Sequence, residues 1–139
     1  MISTMPTPHE MCLRRFADAV TRRDPDAAIA ECDPDVQFMS ILSGLDGTAF
    51  RGHDGIRDYF RDVAAAWDEW RVELERVEEA PDGCRVAVSM TMHLSGQSSG
   101  LSLARRIGHL WEMRGGKLWR LTPYDDPDEP FRVAGMPVG

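Results

Sequence analysis

Ile107-Gly108-His109-Leu110-Trp111-Glu112-Met113-Arg114-Gly115-Gly116-Lys117-Leu118-Trp119-Arg120-Leu121-Thr122-Pro123-Tyr124 decides the fold. Apolar and polar residues alternate on both sides of a glycine pair, which predicts two long antiparallel strands, about Leu103–Arg114 and Lys117–Tyr124. A two-residue turn would set Trp111 beside Arg120 and His109 beside Thr122; a three-residue turn with a glycine bulge sets Trp111 beside Trp119 and His109 beside Leu121. The second register collects Ile107, His109, Trp111, Met113, Trp119, Leu121 and Pro123 on one face and leaves Arg106, Glu112, Arg114, Arg120 and Thr122 on the other. A half-buried sheet needs that segregation, so the second register is the expected one. Continuing the alternation puts Asp125 on the inner side with His109.

Upstream, Trp70, Val72 and Leu74 alternate, Pro81-Asp82-Gly83 turns the chain, and Val86, Val88, Met90 and Met92 alternate again before the turn at Gly96–Gly100. Before Trp70 the period is helical. Thr7 and Glu10 have capping-box spacing around Pro8, and Cys12, Leu13, Phe16, Ala17 and Val20 form one apolar stripe. Asp24-Pro25 starts a short second helix with Ala28, Ile29 and Cys32 inside, and Asp33-Pro34 is expected to end it. Val36 to Ile41 reads as a strand, and Ser43 to Thr48 as a loop. A third helix begins near Asp54, with Ile56, Tyr59, Phe60, Val63 and Trp67 buried and Arg57, Asp58, Arg61 and Asp62 solvated. Helices followed by an antiparallel meander make one α+β domain spanning residues 1–139, with its core at about 8–126 and a C-terminal tail at 127–139.

The 139 residues carry a net charge of −7 with scattered arginines, which argues against nucleic acid and acidic membrane surfaces as partners. No apolar run reaches a membrane span, and the opening MISTMPTPHEM lacks the regions of a signal peptide. Three cysteines, Cys12, Cys32 and Cys84, fit neither a disulfide framework nor a zinc site; reduced buried thiols in a cytoplasmic protein are expected. The four histidines show no metal-ligand spacing, and Gly96–Gly100 is no phosphate loop, so neither metal nor cofactor is expected.

Two stretches resemble SnoaL-like proteins of the nuclear-transport-factor-2-like (cystatin-like) superfamily. One is Asp35-Val36 through Arg51-Gly52-His53-Asp54-Gly55-Ile56-Arg57-Asp58-Tyr59-Phe60; the other is Gly108-His109 through Lys117-Leu118, closing on Tyr124-Asp125. Gly115 departs from the family's usual aspartate, which bears on the turn. The resemblance implies a cone-shaped curved antiparallel sheet wrapped around N-terminal helices, an apolar pocket, and a homodimer packed through the outer sheet face. It also implies kinship with polyketide cyclases, ketosteroid isomerase and limonene epoxide hydrolase. Against ketosteroid isomerase, Ser40 stands where the general-base aspartate would be, His109 at the oxyanion-hole acid, and Phe16 and Val20 on the stripe that would carry the tyrosine. Steroid isomerisation by that mechanism is therefore not expected.

His109 is the first catalytic candidate, because an imidazole both takes and gives a proton near neutral pH. Asp125 is the second, as its orienting partner or as a base. Ser40, Tyr59, Trp67, Met90, Trp111 and Trp119 are candidates to contact a ligand. Asp35 and Asp46 read as strand-entry and loop residues, His53 as a helix-start residue, and His93 as outward-facing. The leading expectation is a cofactor-independent cyclase or isomerase acting by acid/base chemistry on a small apolar, oxygenated, polyketide-like metabolite. The alternative is a non-catalytic binding or carrier protein with the same pocket; a third reading is a pairing domain with a filled core. An inward His109–Asp125 pair favours the enzyme, and an outward Asp125 favours binding.

Overall fold

In the computed structural model, which describes residues 5–39, 49–96 and 102–138, the first helix forms as its cap predicts. α1 (Pro8–Arg22) carries the reciprocal Thr7–Glu10 capping box and buries Cys12, Leu13, Ala17, Ala19 and Val20. It lies across the third strand and is fastened at both ends: Glu79 N–H donates to Glu10 Oε2 at 2.8 Å, and Val72 N–H to Thr21 Oγ1 at 3.1 Å. α2 (Pro25–Ile29) is capped by Asp24, whose side chain accepts from Ala27 N–H. It stops earlier than Asp33-Pro34 suggests, because both residues already belong to β1 (Cys32–Phe38). Proline is tolerated there since the ladder between β1 and β6 (Lys117–Tyr124) shifts register between Cys32 and Gln37. The expected strand end and the loop at 40–48 lie outside the described residues.

β2 (Phe50–Arg51) leads into α3 (Gly52–Ala66), which buries Gly55, Ile56 and Val63. Trp67, placed by periodicity on that helix, is instead the first residue of β3 (Trp67–Glu79). β4 (Arg85–Gly96) and β5 (Ser102–Arg114) complete one curved, unclosed six-stranded sheet in the order β2-β1-β6-β5-β4-β3. All neighbours are antiparallel except the β1–β6 pair. The α+β expectation holds, with the N-terminal helices on the inner side of the sheet.

The register of the final hairpin differs from expectation. Gly115 and Gly116 have φ of 59° and 76°, the pattern of a tight two-residue turn, and Arg114 faces Lys117 directly. The irregularity falls inside β6: Met113 pairs with Leu118 and Glu112 with Arg120, so Trp119 is the extra residue. Leu118 and Leu121 are three apart, so strict alternation would send one of them outward. Looping out Trp119 lets both be buried, and it leaves His109 opposite Pro123 and Trp111 opposite Leu121. Trp119 turns out of the core, with the Arg114 and Arg120 guanidiniums each 4.4 Å from its ring centroid.

The stretch expected as a tail contains α4 (Glu129–Val133), which packs on the outer face of the sheet. Phe131 is fully buried there with Ala80, Ala87, Leu110 and Ala134, and the Arg76 guanidinium sits 4.0 Å from its ring centroid. Gly108 makes this possible: a Cβ on it would lie 2.6 Å from Pro130 Cγ.

Candidate functional site

β5 outruns β6. Residues 108–114 pair with β6, whereas residues 102–107 pair with β4 alone, and the sheet is open beside them. Odd-numbered residues of β5 face the helices, so Arg105, Ile107, His109 and Trp111 run in a row along the inner face. Opposite them stand Phe16 of α1, Phe38 and Met39 at the end of β1, and Tyr59 of α3. Trp70, Met92, Leu94 and Leu121 complete the wall. The cavity volume is about 70 Å³, and the cavity opens to solvent on the Arg105 side. Aromatic edges hold the wall in shape: Phe16 meets Trp111 at 5.5 Å, and Tyr59 meets Phe38, Phe60 and Trp70 at 5.1, 5.8 and 6.1 Å.

Little in this wall is polar. Burial pushes the His109 imidazole from its ordinary 6.5 down to about 4, so it is neutral at pH 7, with one nitrogen donating and the other accepting. Burial likewise pushes the Tyr59 hydroxyl above its ordinary range. Trp70 Nε1 is buried facing the Tyr59 hydroxyl, close enough to offset part of that rise but short of good hydrogen-bond geometry. Arg105, at the mouth, is the one wall residue with a formal charge among the described residues.

The expected His109–Asp125 pair does not form. β6 ends at Tyr124, opposite Gly108, and Asp125 lies beyond it with 82% of its side chain exposed, where it accepts from Arg105 Nη2. The alternation used to place it needs a strand, and the strand has stopped. Of the ligand-contact candidates, Tyr59 and Trp111 line the cavity. Trp67 and Met90 pack in the core behind lining residues without lining the cavity themselves, and Trp119 is on the outer side. Ser40 lies outside the described residues, as does Asp46. Phe16, Trp70 and Met92 are read from sequence only as buried stripe positions, and Phe38, Leu94 and Arg105 carry no sequence reading as ligand contacts. Arg105 shares the parity of Ile107 and His109, and that alternation was the signal that could have found it.

The remaining polar candidates have structural partners. His53, inside α3, approaches the Cys32 carbonyl with Nε2 at 3.2 Å, tying helix to strand. His93 pairs outward with Glu73 at 3.0 Å. Burial pushes the Cys12 thiol up to about 11 and that of Cys32 to about 12, so both stay un-ionised; Cys84, expected to be buried, is exposed. No helix among the described residues is long and apolar enough to cross a membrane.

The family model for the SnoaL-like domain matches residues 13–121. The chain belongs to the SnoaL-like family. No curated protein matches it. Among solved structures it resembles a nuclear-transport-factor-2-like protein of unknown function from Burkholderia pseudomallei, with 24% identity, a TM-score of 0.74, and coverage of 92% of this chain and 98% of that one. It is similar to TerC co-crystallised with polyporic acid (22%, TM-score 0.74, 93% and 99% covered). It is also similar to SalBIII, an epoxide hydrolase/cyclase-like enzyme of pyran ring formation in the polyether salinomycin (15%, TM-score 0.71, 84% and 88% covered). At such identities these likenesses establish the fold.

Proposed function

We propose that this SnoaL-like protein binds a small, largely apolar, oxygenated molecule of polyketide-like character in the cavity, with neutral His109 as the central polar contact. The observation that carries the reading is the wall itself: aromatic and aliphatic on nearly every side, with one uncharged imidazole inside it. The Tyr59 hydroxyl and the poorly paired Trp70 Nε1 beside it add a second place for a ligand oxygen. The outward Asp125 removes the two-residue acid/base scheme, and a pKa of about 4 makes His109 a weak base toward a carbon acid. The kinship with TerC and SalBIII is consistent with a ligand of this kind.

A second reading is turnover of the same ligand by cyclisation or isomerisation. His109 alone would then pass a proton between ligand oxygens, its pKa raised once an oxyanion forms beside it. The likeness to a pyran-forming cyclase-like enzyme favours it. A homodimer through the outer sheet face belongs to the proposal too, with α4 covering one end of that face; analytical ultracentrifugation tests it.

Binding titrations with naphthalene and 2-naphthol, which differ by one hydroxyl, test the first reading. The wild type should prefer 2-naphthol by about tenfold, one charge-neutral hydrogen bond's worth. His109→Leu should abolish the preference while keeping naphthalene affinity. Equal binding of the two by the wild type, or binding of neither, would overturn the reading.

A further inference from the structure

Arg105 is out of keeping with its surroundings. The chain is acidic overall, and the cavity wall holds no carboxylate among the described residues, yet this guanidinium sits at the mouth on the row that continues inward through Ile107 to His109. Its neighbour Arg106, on the outer face, is matched to Glu75 at 3.0 Å across the sheet, as Arg114 is matched to Asp33 at 2.8 Å. Arg105 instead takes Asp125, a residue beyond the end of its strand. The side chain of Asp125 is 82% exposed and that of Arg105 45%. Exposed pairs of this kind contribute about 0–1 kcal/mol, so the contact is readily exchanged. A carboxylate arriving on a ligand already seated among Trp70, Met92 and Ile107 meets the same guanidinium in less solvated surroundings, where a forked, charge-assisted pair is stronger. Four residues of strand separate Arg105 from His109, about 13 Å along β5. That is close to the length of a two-ring molecule with oxygen groups at opposite ends.

We propose that Arg105 is the specificity residue of the cavity, selecting ligands with a carboxylate or comparable anionic oxygen group at the mouth end, in exchange for Asp125. This rests on the cavity being the ligand site. The ligand class is thus an amphiphile: a hydroxyl or carbonyl beside His109, an apolar ring body across Ile107, and an anionic group on Arg105.

The test compares 2-naphthol with 6-hydroxy-2-naphthoate, the same molecule with a carboxylate added at the far end. The wild type should bind the naphthoate about tenfold tighter. Arg105→Gln should weaken the naphthoate at least tenfold and leave 2-naphthol within twofold, with the melting temperature unchanged. Arg105→Lys should recover part of the loss, and Asp125→Asn should tighten the naphthoate about threefold by removing the internal competitor. Naphthoate affinity unmoved by Arg105→Gln, or both ligands weakened equally, would overturn the assignment. If 2-naphthol binds the wild type and the naphthoate does not, Arg105 loses its role and the cavity reading stands. If neither binds, both fall.

Discussion

The two faces of β5 show the same strand serving opposite ends. On the outer face, Gly108 and Leu110 are covered by α4 so closely that a single added methyl at Gly108 would collide with Pro130. On the inner face, Ile107 and His109 border open space, although α1 and α3 stand across from them. Aromatic side chains are plentiful on the inner side, so bulk does not explain the difference. Toward the mouth the cause is strand length, whereas His109 still has Pro123 of β6 opposite it. Beyond Gly108, β5 has no β6 beside it, and no described strand closes the sheet over residues 102–107. The outer face is therefore a place where substitution changes stability, and the inner face one where it changes what is bound.

Phe131→Ala should show the largest effect of this contrast. The ring is fully buried under Arg76 in a small cluster of its own, and truncation of such a ring costs about 3–5 kcal/mol. Urea unfolding should register that loss, while 2-naphthol affinity stays within twofold under folding conditions. A large change in affinity would mean that the two faces are coupled and the contrast is false.

The inner face gives a smaller effect, and one that depends on pH. The His109 pKa is about 4 in the folded protein against an ordinary 6.5, so between those values the unfolded chain holds the proton and the folded chain does not. The stability contributed by the neutral ring is thus complete above about pH 6.5 and is lost as pH falls through about 4. Comparing wild type with His109→Gln cancels the carboxylates that titrate in both. The stability advantage of the wild type should shrink by on the order of 2 kcal/mol between pH 7 and pH 4.5. A constant difference across that range would show that the imidazole is solvated and not part of the wall.

The features legible in the sequence are those set by short-range chemistry. The Thr7–Glu10 cap, the start of α2 at Asp24-Pro25, and the switch from helical to alternating periodicity before β3 all depend on residues a few positions apart. Alternation also placed His109 and Trp111 on the inner face, because parity survives a wrong partner on the next strand. It failed at Asp125, where parity has no meaning past Tyr124, and at Cys32–Phe38, where a proline inside a strand was read as a stop. α4 was missed because its five residues carry almost no periodicity; its place depends on the bare backbone at Gly108, far away in sequence.

Trp119 is the sharpest remaining check, although its expected effect is the smallest. Apolar patterning alone would turn it inward with Leu121, while the bulge turns it outward between two arginines. If it faced inward, Trp119→Ala would open a core cavity, cost about 3–5 kcal/mol and loosen any ligand resting on it. In the outward position it loses two exposed cation–π contacts, each contributing about 0.5–1 kcal/mol. Urea unfolding should therefore give a loss of about 1 kcal/mol, with 2-naphthol affinity unchanged. Only the Leu118–Leu121 spacing, three residues with both ends buried, forces the extra residue out, so this small number tests the register on which the inner row from Arg105 to Trp111 depends.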